Sequence, residues 1–242
     1  NYLSLIHGNS YEKIITNRDF IGPSSYTLQM ENIINSKNDY SGPNVRSNYC
    51  VTDKADGDRK LMYINNEGKT YLINTNMEVQ YTGSNFKNRK CFNSIIDGEH
   101  IIHNKNGEFL NLFAAFDLYF INGTSIRDIP FIVKEETTKM NSRHYKLVEL
   151  ISLLNIDNNN SLKIDHKKFF VESETFSIFE CCKKIFELNE SNILYETDGI
   201  IFTPITLPVG TNSILEKSPM KKVTWDYSFK WKPPKMNTID FL

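Results

Sequence analysis

Lys54-Ala55-Asp56-Gly57-Asp58-Arg59 gathers an amine, a glycine and a guanidinium within six residues. A lysine amine that sheds its proton is a nucleophile able to attack an α-phosphorus. Gly57 lets the backbone turn sharply or approach a ligand closely, and Arg59 can fork onto ribose or phosphate oxygens. A lysine set between carboxylates is equally the ordinary make-up of a solvated surface, so the six residues alone leave both readings open.

Four segments downstream tip the balance. Asp97-Gly98-Glu99 closes a strand with a carboxylate, and Phe116-Asp117 ends a run apolar enough for a buried strand. Thr197-Asp198-Gly199-Ile200-Ile201 repeats the pattern of Asp-Gly followed by apolar residues. Phe229-Lys230-Trp231-Lys232-Pro233 alternates cations with aromatics, and the two-residue period of a strand sends Lys230 and Lys232 to one face, where two ammonium groups could meet phosphate. Each segment also has a plainer reading. Glu99 could cap a hairpin, Asp117 has no assigned role, and Trp231 reads as packing between its lysines. The five histidines (His7, His100, His103, His144, His166) show no metal or triad spacing.

These groups need a scaffold, and the pattern supplies strands first. Leu61–Ile64 and Tyr71–Ile73 flank Asn65-Asn66-Glu67-Gly68, a hairpin signal. Ser94–Ile102 reads as a strand, and a turn at Asn104–Gly107 leads to the apolar run Leu112–Phe116. Earlier, Gly22–Ser25 reads as a turn before a short helix or strand carrying Leu28, Met30, Ile33 and Ile34. Helices follow at Tyr145–Leu154, with Leu147, Leu150, Ile151 and Leu154 on one face, and at Ser173–Leu188, with Phe176, Phe179, Cys182 and Phe186 at helical spacing. Asn155–Ser161 is a polar loop, and strands resume at Gly199–Phe202 and Phe229–Lys232. Antiparallel strands with helices in separate blocks make an α+β domain.

Composition narrows the function classes. The chain has 242 residues, enough for one large domain, and 40% hydrophobic and 12% aromatic residues support a packed core. A net charge of −1 gives no global basic field, so any RNA contact must be a local patch. Cys50, Cys91, Cys181 and Cys182 form no C-x-x-C pair and read as reduced, structural residues of a cytosolic protein. No apolar run approaches the roughly 18–20 residues of a membrane span. The chain starts Asn1-Tyr2-Leu3 without Met, as a piece of a longer protein would, and its abundant Asn, Ile and Lys hint at an AT-rich genome.

Together the five segments resemble the covalent nucleotidyltransferase superfamily of mRNA capping guanylyltransferases and ATP-dependent polynucleotide ligases. The similarity is spread over residues 54–242, with few strictly matching positions. Asp198-Gly199, where ligases more often have Glu-Gly, and Phe229–Pro234 are similar to the capping enzymes. So is Asn237-Thr238-Ile239-Asp240-Phe241, which in that family lies near the junction with the next domain. The compositional bias resembles the capping proteins of large cytoplasmic DNA viruses. The resemblance implies an ATP-grasp-like nucleotidyltransferase domain over 1–242, antiparallel sheets flanked by helices, without the OB-fold domain that follows in the family. It implies that Lys54 carries GMP, that Arg59 and Glu99 hold the ribose, and that Phe116 stacks on guanine, with Phe113 as the competing ring. Lys230 and Lys232 would contact the α-phosphate, and Asp198 would help place Mg²⁺ or Mn²⁺. The implied partners are GTP and a 5′-diphosphate RNA end, within a larger multidomain capping protein of the host cytoplasm or virion. Two alternatives stand beside this: a ligase adenylated on Lys54, and a non-catalytic RNA- or protein-binding relative.

The electrostatics set one demand on the fold. A free lysine titrates near about 10.4, and negative charge on Asp53, Asp56 and Asp58 would hold Lys54 protonated more firmly. Arg59, Lys230, Lys232 and a bound metal ion are the available counterweights.

Overall fold

The computed structural model describes residues 2–8, 14–34, 42–156, 162–191 and 193–236. The α-helices among these residues are α1 (Tyr2–His7), α2 (Arg143–Ile156) and α3 (Ile178–Ser191). The strands are β1 (Ser24–Thr27), β2 (Tyr49–Ala55), β3 (Asp58–Ile64), β4 (Lys69–Asn74), β5 (Val79–Asn85) and β6 (Ser94–His103). They continue with β7 (Phe109–Ile121), β8 (Thr124–Ser125), β9 (Lys163–His166), β10 (Phe170–Val171), β11 (Thr197–Pro204) and β12 (Thr224–Trp231).

Two sheets result. One has the order β1-β12-β11-β2-β10; the other runs β5-β4-β3-β6-β7-β8, with β9 also on β7. Most pairs are antiparallel, but β1–β12 and β7–β9 are parallel, which corrects the expectation of purely antiparallel sheets. Parallel pairing needs a long connection, and β1 meets its partner from the far end of the chain.

The strands' two-residue alternation assigns the faces. Val51, Ile200, Phe202 and Phe229 turn toward α3, against Ile178, Cys181, Cys182 and Ile185. Thr52, Lys54, Ile201, Thr203, Ser228 and Lys230 take the opposite face. In the second sheet Met62, Leu72, Ile96 and Phe113 pack under Leu147, Leu150, Ile151 and Leu154 of α2. The other face carries Leu61, Tyr63 and Ile73 beneath Tyr2 and Ile6 of α1.

The hairpin at Asn65–Gly68 forms as expected, with Gly68 at φ +85°, a conformation that favours glycine. The helix expected from Ser173 starts later. Ser173 pairs with Phe176 in an isolated bridge, and Ser177 caps α3. Its backbone N–H donates to Glu180 Oε2 at 2.7 Å, and the Glu180 N–H donates to Ser177 Oγ at 3.3 Å. Its inward stripe is Ile178-Cys181-Cys182-Ile185, while Phe179 and Phe186 stay 39% and 38% exposed. Phe179 and Phe186 share the helical period but lie one residue off the buried stripe, whereas Cys182 and the partly buried Phe176 of the expected set do pack in this core. Near the N-terminus, Ser24 and Ser25 already belong to β1, and Met30–Asn32 is a 3₁₀ turn with Met30 and Ile34 exposed. All four cysteines are buried, and no disulfide joins them among the described residues. Most of the polar loop (157–161) and the segment 237–241 lie outside the described residues.

Candidate active site

A cavity of about 310 Å³ opens between the two sheets. Lys54 of β2, Arg59 of β3, Glu99 of β6, Phe116 of β7 and Lys230 of β12 all line it. Asp198 and Lys232 join through Lys54: Lys54 Nζ lies 2.6 Å from Asp198 Oδ1, and Lys232 Nζ lies 2.6 Å from Asp198 Oδ2. One carboxylate therefore bridges two ammonium groups. Burial pushes the Asp198 carboxyl up, but the hydrogen bonds from Lys232 and Lys54 prevail and hold it below its ordinary value. The bridge depends on Gly199. A Cβ there would lie 2.0 Å from the Trp231 carbonyl oxygen, so only glycine lets β11 approach β12 at the point where the β2 register also shifts.

The acidic neighbours of Lys54 do not surround it, contrary to what their sequence positions suggested. Strand alternation turns Asp53 to the other face. There Lys167 Nζ sits 3.2 Å from Asp53 Oδ2, and Tyr195 Oη donates to the same oxygen at 3.2 Å. Asp56 and Asp58 are exposed to water.

Arg59 is held before any ligand arrives. Nε and Nη2 fork onto Asp97 at 3.1 and 2.6 Å, and Nη1 donates to the Pro23 carbonyl at 2.6 Å. Burial pulls the guanidinium down, and Asp97 more than restores it, raising it above its ordinary value. Opposite Arg59 in the β3–β6 register stands Glu99. Among the described residues Glu99 has no hydrogen-bond partner, and burial lifts its carboxyl to about 7 against the pull of Lys167, Arg59 and Lys54. An acceptor of this kind, facing an open cavity, suits a hydroxyl-bearing ligand.

The choice between the two rings has a backbone cause. Gly98 pairs with Ala115 and Asp97 with Asp117, so Phe116 is the extra residue of a β-bulge. A bulge re-aims a side chain, and here Phe116 lines the cavity with the Arg59 guanidinium 5.4 Å from its ring centre. Phe113 is fully buried in the core under α2. Asp117, without a role in the sequence, forms a buried two-point ion pair with Arg143 of α2 at 2.8 and 3.2 Å. Trp231 packs edge-on to Phe186 at 6.2 Å, a structural contact.

Lys167, Asp97 and Tyr119 were not singled out by sequence. Asp97 lies two residues before Glu99, and nothing local marks it as the anchor of Arg59. Lys167 lies in an unremarkable His-Lys-Lys run, and only the fold brings it to the cavity.

No group of three or more His, Cys, Asp or Glu among the described residues could hold a metal ion, and both Asp198 oxygens already meet ammonium groups. Mg²⁺ commonly takes one or two carboxylates and completes its shell with water and substrate phosphates. Asp198, the carboxylate beside Lys54, fits an ion that arrives with a phosphate-bearing ligand; it does not make a resident metal cage.

The family profile described as "mRNA capping enzyme, catalytic domain" matches residues 43–234. A probable mRNA-capping enzyme of Acanthamoeba polyphaga mimivirus is 28% identical over 88% of this chain and 21% of that protein. The mRNA-capping enzyme of Danio rerio is 27% identical over 81% of this chain and 31% of that protein. The chain thus spans roughly a fifth to a third of the length of these relatives. Among solved structures, the ligase domain of M. tuberculosis LigD superposes with a TM-score of 0.51 at 12% identity, covering 88% of this chain and 61% of that one. That likeness concerns the fold alone.

Proposed function

We propose that this chain, which belongs to the family of mRNA capping enzyme catalytic domains, is a guanylyltransferase that carries GMP on Lys54. The observation that carries the reading is the convergence of Lys54, Arg59, Glu99, Phe116 and Lys230 on one cavity between the sheets. In the first step Lys54 Nζ attacks the α-phosphorus of GTP. The new N–P bond replaces the P–O bond to pyrophosphate, and the Nζ proton is released. In the second, a terminal oxygen of a 5′-diphosphate RNA end attacks the same phosphorus, giving GpppN and free Lys54.

Each side chain has a part that its position supports. Phe116 offers its ring to the base, and Glu99 offers a carboxylate to ribose hydroxyls. Arg59, already clamped by Asp97, keeps a fixed cation over the same region. Lys230 faces the phosphates, where fixed charge stabilises a transferring phosphoryl group. Thr52, Thr203, Ser228 and Lys167 are polar groups in the cavity wall able to read base edges, and a site that hydrogen-bonds a base rejects one that leaves those groups unpaired.

The Lys54–Asp198–Lys232 bridge describes the resting site. Lys54 Nζ is directed at the Asp198 carboxylate 2.6 Å away, so attack requires Asp198 to turn to another partner. Lys232, on its second oxygen, is one. A divalent cation entering with the triphosphate, Mg²⁺ or Mn²⁺, would be held by Asp198 and phosphate oxygens and would supply charge neutralisation for departing pyrophosphate. The relatives' greater length supports a further proposal, that the domain works as one module of a longer capping protein. The mimivirus relative and the Asn/Ile/Lys bias support assigning it to the viral type.

The test is labelling. Wild-type protein incubated with α-labelled GTP and a divalent metal should retain label through denaturation, and α-labelled ATP should not label it. Label from ATP alone would make the protein a ligase-type adenylyltransferase, and label from neither would make it a non-catalytic relative.

A further inference from the structure

Behind Arg59 lies a buried chain of groups that the proposed chemistry does not use. Asp97 is fully buried and receives Arg59 Nε on Oδ1 and Arg59 Nη2 on Oδ2. The Tyr119 hydroxyl donates a short hydrogen bond to the same Oδ2. Over the Tyr119 ring, 4.3 Å from its centre, lies the guanidinium of Arg127. Arg127 is fully buried, and among the described residues no carboxylate pairs with it directly. Nε donates to Ser218 Oγ at 3.1 Å, Nη2 donates to the Pro219 carbonyl at 3.0 Å, and Nη1 has no hydrogen-bond partner among the described residues.

A buried guanidinium without an ion-pair partner is costly, so its placement calls for a compensating interaction. The tyrosine ring provides one face of it through cation–π attraction. The cation in turn draws electron density from the ring and makes the hydroxyl a stronger donor. Burial, followed by the nearby Asp97 charge, pushes the Tyr119 phenol well above its ordinary value, so it remains a donor rather than an anion. Two donors on Oδ2 and one on Oδ1 leave Asp97 a single satisfied geometry, and that geometry fixes the fork of Arg59. The Pro23 carbonyl closes the third side. There is also no room for the pair to swing: a Cβ on Gly22 would come within 2.8 Å of Arg59 Nη2 and 2.9 Å of Asp97 Oδ2.

We infer that Tyr119 and Arg127 are positioning residues for nucleotide binding, acting through Asp97 to lock the orientation of Arg59 toward the cavity. Neither group reacts. Their effect is on how much of the unliganded protein holds Arg59 in the binding geometry, and a lower competent fraction raises the apparent dissociation constant in proportion. The inference rests on GTP being the ligand of the cavity, so labelling of the wild type is run alongside as the control that judges that reading separately.

The experiment measures the rate of Lys54 labelling against GTP concentration for wild type, Tyr119→Phe, Arg59→Lys and the double variant, with thermal unfolding on each. Tyr119→Phe keeps the ring under Arg127 and removes only the hydroxyl. Half-saturating GTP should rise by about tenfold, the scale of a lost hydrogen bond to a charged group, with the maximal rate within about twofold. In the Arg59→Lys background the same change should add less than about twofold, because contacts in one network are not additive. Gly22→Ala provides an independent route, pressing on the fork from the segment before β1; it should raise half-saturation in the same way. The inference is overturned if Tyr119→Phe leaves half-saturation unchanged, if its effect persists in full on Arg59→Lys, or if Gly22→Ala binds GTP like wild type.

Discussion

Replacing Glu99 with glutamine should make the protein more stable and less active, and the stability gain should depend on pH. Glu99 sits on β6 facing the cavity, without a hydrogen-bond partner among the described residues, and burial raises its carboxyl from 4.5 to about 7. A carboxyl raised in the folded state contributes stability that is whole below its unfolded value and lost as pH rises through about 7. Each tenfold change in proton affinity is worth about 1.4 kcal/mol. Ionising this group in the fold at pH 8 therefore costs on the order of 3 kcal/mol, and at pH 5 less than about 1 kcal/mol. Glutamine is neutral at both. For a chain of this size about 3 kcal/mol corresponds to roughly 6–12 °C in Tm. Thermal unfolding at pH 8 should show Glu99→Gln melting above wild type by that amount, with most of the gap closed at pH 5. GTP labelling should fall roughly tenfold or more, because an amide is a poorer acceptor for a ribose hydroxyl than a carboxylate. Equal melting temperatures at pH 8 would refute the reasoning. They would mean that Glu99 is not a desolvated carboxylate held ready for a ligand.

Other outcomes follow from the same geometry. Phe116→Ala should weaken GTP and ATP binding alike, by about 1–3 kcal/mol, because stacking does not distinguish bases; titration calorimetry that finds a loss for GTP alone would contradict the stacking role. Lys167→Met should destabilise the fold by roughly 3–5 kcal/mol in denaturant unfolding, since it leaves the buried Asp53 carboxylate without its cation. Most of that loss should return in the double variant with Asp53→Asn, and a double variant no more stable than Lys167→Met would contradict the pairing.

Local chemistry was legible in the sequence where it was carried by neighbours in the chain. The Asn65–Gly68 hairpin, the strand over Ser94–Ile102 that carries Glu99 and the apolar stripe of α2 each depend on spacing within about ten residues. The orientation of Phe116 was not legible, because it is set by a bulge, and one extra residue in β7 reverses which face a ring occupies. The phase of α3 was legible only in part for a related reason: Cys182 faces the core, but Phe179 and Phe186, at helical spacing with each other, lie beside the stripe that packing on β2 and β11 selects. Long-range pairings were out of reach. Nothing local ties Ser24 to Thr224, or Lys167 to Asp53. Arg127 and Arg143, both fully buried, count as surface charge in any compositional reading, and only their partners in the fold reverse that. Asp56 and Asp58 illustrate the opposite error, since closeness in sequence to Lys54 did not bring them to its side chain.

Locating the covalent adduct tests the central claim most directly. Wild-type protein incubated with GTP and Mg²⁺ or Mn²⁺, digested and analysed by mass spectrometry, should carry GMP on the peptide containing Lys54, with the modification on that side chain. Lys54→Ala should form no adduct while unfolding like wild type, because a half-buried lysine at a cavity wall contributes little to the core. GMP on any other residue, or undiminished labelling of Lys54→Ala, would contradict the account.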